Sequence, residues 1–406
     1  MIMELVPKQE LNSRKNKLQD MMKNQGIDLA VIVGNTNLFY FAGSCQSGHL
    51  LIPVKGEPVY LVRKSFERAK EESMLEEIHP QKGFKSIAPV IEDLLAEGSG
   101  SLNKNKVIGM ELDILPAGQY FSYEKLLSNY NLADISKEIS FIRAIKSPYE
   151  VELIREAALI HNKMFDAVKE YLKVGISEVE LSANLEAVFR KNGHQGDVPM
   201  RGFNQKIFYG HLMAGENLTY PSFVQSPTGG RGLSPAYPQG AGWKQIKKDE
   251  PVMVDHASAS KGYIADQARI FCIGKLPDKM ETAYEVTRTI MEEVKKTAQS
   301  GIHWSLIYNL AFEVAESEGF EAHFMGYGED KTLFIGHGVG LELDELPVIA
   351  GKFDQPLEEG MVFALEPKMF FPGEGVVGLE NTVVVKEDGL ETLTSYPESI
   401  IYLEDH

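Results

Sequence analysis

A chain of 406 residues with 43% apolar content is longer than a single hydrophobic core ordinarily organises, so two domains are expected. Its 58 acidic against 41 basic residues leave a net charge of −17, which argues against nucleic acid or an anionic membrane as partner and leaves clustered acids as candidate metal ligands. Only two cysteines occur, Cys45 and Cys272, far apart and outside any zinc spacing, so no disulfide framework or structural zinc is indicated and both read as buried thiols. The opening "MIMELVPKQELNSRK" has charges and a proline where a leader peptide needs an apolar stretch, and no run approaches eighteen apolar residues. A cytoplasmic setting is the expectation.

In chain order, the helical pattern Leu11 to Gln25 is followed by strand-like runs, "LAVIVG" at 29–34 and "PVYLVR" at 58–63, an alternation that reads as an α/β domain. Near residue 140 the pattern changes. Ser147 as N-cap, Pro148 at N1 and Glu150 at N3 make a capping box that opens a long amphipathic helix. The boundary is placed just before it, giving domains 1–140 and 141–406. A second helix runs from about Glu178 to Gly193, after which 194–250 lose periodicity and read as a functional loop rich in Gly, Pro and Ser. Beyond 250 come strands "VMVDHA" and "YIADQARIFCIG", helices from about Glu281 to Gln299 and Trp304 to Glu318, and strands near 362–370 and 376–386. The second half is therefore α+β.

Four acids and one histidine in this half stand out. Asp255 and Asp266 lie on two β-rich arms joined by a Ser/Lys/Gly turn, where a hairpin would bring their carboxylates together; taken alone, such a pair is commonly turn chemistry. His337 sits between Gly336 and Gly338, as suits either a crowded site or a flexible turn. Glu366 in "VFALEPKMFF" and Glu380 in "GVVGLENTVVVK" fall in strand-like runs. Carboxylates buried in sheets need salt bridges or a metal, and four of them with one imidazole would neutralise two divalent cations.

The order Asp, Asp, His, Glu, Glu at intervals of 11, 71, 29 and 14 residues resembles the dinuclear metal site of the Xaa-Pro dipeptidase, Xaa-Pro aminopeptidase, methionine aminopeptidase and creatinase superfamily. "NTNLFYFAG" (35–43), "FIRAIKSPYEVELIREAA" (141–158) and "GHGVGLELDELP" (336–347) are similar to further segments of that family, so the resemblance spans nearly the whole chain. It implies an α+β fold, with a C-terminal pita-bread catalytic domain behind a smaller N-terminal α/β, creatinase-like domain. It also implies a homodimer, and Asp255, Asp266, His337, Glu366 and Glu380 holding two divalent ions, Mn²⁺, Co²⁺, Zn²⁺ or Fe²⁺. Glu366 would shuttle a proton from the attacking water to the leaving nitrogen of a small peptide or amide substrate.

This chain also departs from the family. The family's "GHGIGLEVHE" has a histidine where Asp344 stands, and a second substrate-side histidine, about seventeen residues before the first ligand, meets only Pro238 or Gln239. Ala257, Ala268 and Gly378 replace the usual Gly, Thr and Arg around the ligands. Asp344 is expected either to face a cationic or hydrogen-donating substrate group in the catalytic site or, with Glu345, to form a solvated acidic lip. His211 reads as a loop histidine or as a replacement for the missing one, and His256, next to a ligand, should point away from the site. The missing histidines leave two alternatives beside hydrolysis of a small peptide: creatinase-like or lyase-like chemistry on a small molecule, and a non-catalytic partner-binding protein.

Overall fold

Apolar runs too short for helices become strands, and the amphipathic stretches between them become the helices that cover those strands. The computed structural model describes residues 4–99 and 106–405; the first three residues of the opening segment, read above for a leader, lie outside them. The chain divides into two compact units, Met1–Ile142 and Arg143–His406.

The first unit runs α1 (Lys8–Gln25), β1 (Leu29–Ile32), α2 (Asn35–Ala42), β2 (Gly48–Pro53), β3 (Val59–Val62), α3 (Phe66–Glu72), β4 (Glu77–Pro80), α4 (Ile87–Ser99), β5 (Val107–Met110), α5 (Ala117–Leu126), β6 (Asn131–Asp134) and α6 (Ser136–Ala144), the last crossing the division. Its sheet has the order β4-β3-β2-β1-β5-β6. The parallel pairs β3–β4, β1–β5 and β5–β6 need crossovers, which is why helices alternate with strands here. Leu29, Val31, Leu51, Ile91, Ile108 and Met110 share its core. Cys45 is exposed rather than buried, because α2 ends at Gly43 (φ 72°) and the chain emerges to the surface. Cys272 is buried as expected.

In the second unit, the Ser147 hydroxyl accepts from the Glu150 amide (3.3 Å) and the Glu150 carboxylate from the Ser147 amide (3.0 Å), opening α7 (Pro148–Tyr171) with the expected capping box. There follow α8 (Glu178–Lys191), β7 (Gly210–Ala214), β8 (Val252–Ser260), β9 (Tyr263–Ile273), α9 (Asp278–Thr297) and α10 (Trp304–Ser317). Strands β10 (Phe334–Gly338), β11 (Glu345–Ala350), β12 (Val362–Leu365), β13 (Lys368–Phe371), β14 (Gly375–Gly378), β15 (Asn381–Lys386), β16 (Gly389–Thr392) and β17 (Ile401–Leu403) complete it. They build sheets β17-β9-β8-β7, β11-β10-β12-β15-β16 and β13-β14. Met164, Phe165, Leu181, Leu185, Val252 and Phe271 seal α7 and α8 to the first of these. No helix among the described residues is long and apolar enough to cross a membrane.

The segment 194–250 is more ordered than its composition predicts. Strand β7 adds to the sheet edge beside β8, so His211 belongs to a strand and not to a loop. The Glu178 carboxylate, buried at the start of α8, accepts from the Ala214 amide (2.8 Å), Asn217 Nδ2 (2.7 Å) and the Gly242 amide (2.9 Å). One acid thus ties three points of an irregular segment together, giving its amides the partners that a regular ladder would otherwise supply.

Candidate metal centre

The long hairpin β8–β9 pairs Asp255 with Ala268 and Ala257 with Asp266. Residues two apart on a strand share a face, so the two aspartates lie diagonally on the same face of the hairpin. His337 arrives on β10, opposite Ala364 of β12, and the chain leaves β12 into Glu366. Glu380 lies between β14 and β15. Gly336 and Gly338 are required for contact rather than for flexibility: a Cβ on the first would strike the Ala364 carbonyl, and on the second the Leu346 carbonyl.

All five side chains line one cleft, whose walls also include Met200, Ile207, His211, Val224, Leu343 and Asp344. The segment 194–250 therefore supplies much of the wall. Around His337 Nε2 stand Asp266 Oδ2 at 3.7 Å, Glu366 Oε1 at 3.8 Å and Glu380 Oε1 at 3.9 Å. Each of these carboxylates turns its other oxygen to the chain itself. Asp266 Oδ1 accepts from the Gln267 amide at 3.0 Å, while Glu366 Oε2 and Glu380 Oε2 lie 2.5 Å and 3.4 Å from Lys368 Nζ.

Lys368 is the residue that sequence reasoning missed. Its ammonium also meets Asp255 Oδ2 at 2.9 Å, and the side chain is only 1% exposed. A signal was present in "LEPKMFF": a lysine two residues from a buried glutamate, within an apolar run, has few reasons to be there except a buried anion. Gly378, read from sequence as a missing arginine, is the cross-strand partner of Lys368. A Cβ there would come within 2.8 Å of Lys368 Cα and 2.9 Å of its Cγ, so glycine leaves the lysine stem its path.

Behind the imidazole, His337 Nδ1 donates to the Leu343 carbonyl at 3.0 Å and faces Asp344 Oδ1 at 3.4 Å. Asp344 thus stands beside His337 and also lines the cleft, where the sequence suggested that it faces a substrate group. Glu345 is no solvated lip. Its side chain is 6% exposed, paired with Arg143 and, at 3.2 Å, with Lys146, and it accepts from the Leu341 (2.9 Å) and Glu342 (3.0 Å) amides. It ties the histidine-bearing turn to the start of the unit. His211 is buried, in register with Asp255, with Nε2 3.2 Å from Gln239 Oε1, so the two positions weighed for the missing histidine stand side by side. His256 is fully buried against Phe189, away from the ligands, and burial presses its pKa down to about 3. Arg269 donates to the carbonyls of Ala268 (2.7 Å) and Glu380 (2.8 Å), and the Ala268 carbonyl also accepts from the Glu380 amide at 3.3 Å, so backbone groups lock β9 to the Glu380 corner without a side-chain hydroxyl at 268.

The electrostatics divide the cluster in two. Burial opposes the charge of Asp255, yet the Lys368 ammonium outweighs it and holds that carboxyl below the usual range. Asp266, raised by burial and by Asp255, reaches about 7, and Glu380 is pushed far up by burial and by Asp266. Too little positive charge faces these two acids. Ligand atoms of Asp266, His337 and Glu380 lie within 4.8 Å of one another, and Glu380 Oε1 is buried with no hydrogen-bond partner. An imidazole nitrogen with carboxylate oxygens turned towards it is a donor set that fits a divalent transition-metal ion. On the other side, where a second cation is expected, Asp255 Oδ2, Glu366 Oε2 and Glu380 Oε2 surround Lys368 Nζ.

Residues 152–387 match the family model described as Metallopeptidase family M24, and residues 14–145 match that of the Creatinase/Prolidase N-terminal domain. An Xaa-Pro dipeptidase of Pyrococcus horikoshii is 26% identical over 394 residues, 96% of this chain and 99% of that protein. One from Pyrococcus furiosus is 27% identical over 396 residues, 96% and 100% of the two chains. Among solved structures, an Xaa-Pro dipeptidase from Bacillus anthracis superposes with a TM-score of 0.81 at 24% identity, over 97% of this chain and 100% of that one, a likeness of fold.

Proposed function

The chain belongs to metallopeptidase family M24, with a creatinase-like N-terminal domain ahead of a pita-bread catalytic domain, and on that premise we propose that it hydrolyses the amide bond before proline in a small peptide. Asp266, His337 and Glu380, with Glu366 Oε1 beside them, would hold a divalent cation. When bound, such a cation acts as a Lewis acid towards the scissile carbonyl and lowers the pKa of water.

The observation that carries this reading is the set of ligand atoms on Asp266, His337 and Glu380 converging at the floor of the cleft around an unpartnered Glu380 oxygen. The chain's own groups do the rest. Donation from Nδ1 to the Leu343 carbonyl selects the tautomer of the neutral imidazole whose Nε2 lone pair faces the carboxylates and is available for coordination. Glu366 is the proton carrier: Lys368 anchors one of its oxygens, while the other faces the cleft to take a proton from water and return it to the leaving nitrogen. Asp344 works through His337 as a positioning residue, steadying the imidazole from behind.

The test uses the purified chain stripped by a chelator, resupplied with Mn²⁺, and offered Xaa-Pro dipeptides beside dipeptides without proline. Cleavage confined to the Xaa-Pro peptides and restored by Mn²⁺ is expected. A chain that binds Mn²⁺ and cleaves none of them overturns the reading.

A further inference from the structure

We infer that the Lys368 ammonium takes the place of one of the two divalent cations, so that the centre holds a single metal ion beside a built-in organic cation. The inference rests on the metal-dependent reading above and changes what that site contains.

The argument is first one of space. A divalent ion binds carboxylate oxygens at roughly 2.0–2.2 Å. Asp255 Oδ2, Glu366 Oε2 and Glu380 Oε2 already converge on Lys368 Nζ at 2.9, 2.5 and 3.4 Å, so an ion ligated by the same three atoms would overlap the nitrogen. Nor is the lysine free to swing away. Its residue is fully buried, its backbone pairs with Gly378, its carbonyl accepts from the Met325 amide at 2.9 Å, and its stem fills the path that Gly378 leaves.

Charge leads to the same count. Four carboxylates are offset by one ammonium and one divalent ion to a net −1, whereas two divalent ions with the ammonium would reach +1, crowding three cations into one buried site. The oxygens are also sorted. Those on the Lys368 side have the ammonium as partner, whereas on the His337 side Glu380 Oε1 is buried with no partner at all. Asp255 accordingly partners an ammonium instead of a metal.

The test is a count of metal ions. The wild-type chain, titrated with Mn²⁺ by calorimetry and followed by electron paramagnetic resonance, should bind one equivalent and give the spectrum of an isolated ion. Lys368→Gly, with stem and charge removed, should bind two equivalents and give a spin-coupled signal. Two equivalents on the wild type, or one on a folded Lys368→Gly chain, overturn the inference and leave the hydrolase reading standing. No bound Mn²⁺ on either chain overturns the metal-dependent reading itself. The wild-type count is decisive even if the variant does not fold.

Discussion

Two groups of buried carboxylates lie on opposite sides of His337, and they are completed differently. Behind it, Glu345 is enclosed by Arg143, Lys146 and two backbone amides, and although burial works against its charge these partners hold its pKa down to about 2. In front, Asp266 has no ammonium or guanidinium beside it and Glu380 shares the Lys368 ammonium with Asp255 and Glu366, so burial and mutual repulsion prevail and the pKa values of both rise. A buried acid that the chain neutralises itself is structural, while one left short of positive charge marks where an outside cation belongs. Lys368 sits at the frontier, finishing half of the front cluster in the manner of the rear one.

The largest expected effect that follows from this contrast is on catalysis. Glu366→Gln keeps the shape of the cluster but removes the proton carrier, and should lower kcat by about 10²- to 10⁴-fold while Mn²⁺ still binds. Retained turnover with bound metal would assign the proton transfer elsewhere.

At the rear, Glu345→Gln should leave the metal count alone and destabilise the fold by about 3 kcal/mol near neutral pH, because Arg143 and Lys146 lose a buried partner. The folded pKa of Glu345 lies below its ordinary 4.5, so its contribution is complete above pH 4.5 and fades as the pH falls from there towards about 2. Denaturant melts of the two chains at pH 7, 4 and 3 should therefore converge. A cost that is independent of pH, or an altered metal count, would erase the distinction between the two clusters.

The smallest effect concerns the residue between them. Asp344→Asn weakens the support of His337 and should cost about tenfold in Mn²⁺ affinity or activity, equally for every peptide cleaved. A loss confined to peptides bearing a positive charge would instead make Asp344 a substrate contact, as its place in the cleft wall also allows.

The candidate ligands were legible because each is a charged or imidazole side chain where apolar pattern or glycine spacing makes it conspicuous, and family resemblance joined them. The capping box at Ser147 was legible for a similar reason, since its hydrogen bonds are local. Strand β7 was not: its apolar run is brief, and what stabilises it is pairing with β8 some forty residues later, together with the Glu178 carboxylate. Glu345 looked exposed because sequence shows its neighbour Asp344 but not Arg143, about two hundred residues earlier.

By itself the sequence determined which chemistry is available, four carboxylates and an imidazole at family-like intervals, because residue identity and spacing survive without coordinates. Tertiary structure alone decided how that chemistry is shared out. Whether a carboxylate oxygen faces an ammonium, an amide or a metal depends on distances of a few ångströms between strands far apart in the chain, and Lys368 shows its role only when Asp255, Glu366 and Glu380 are drawn around it.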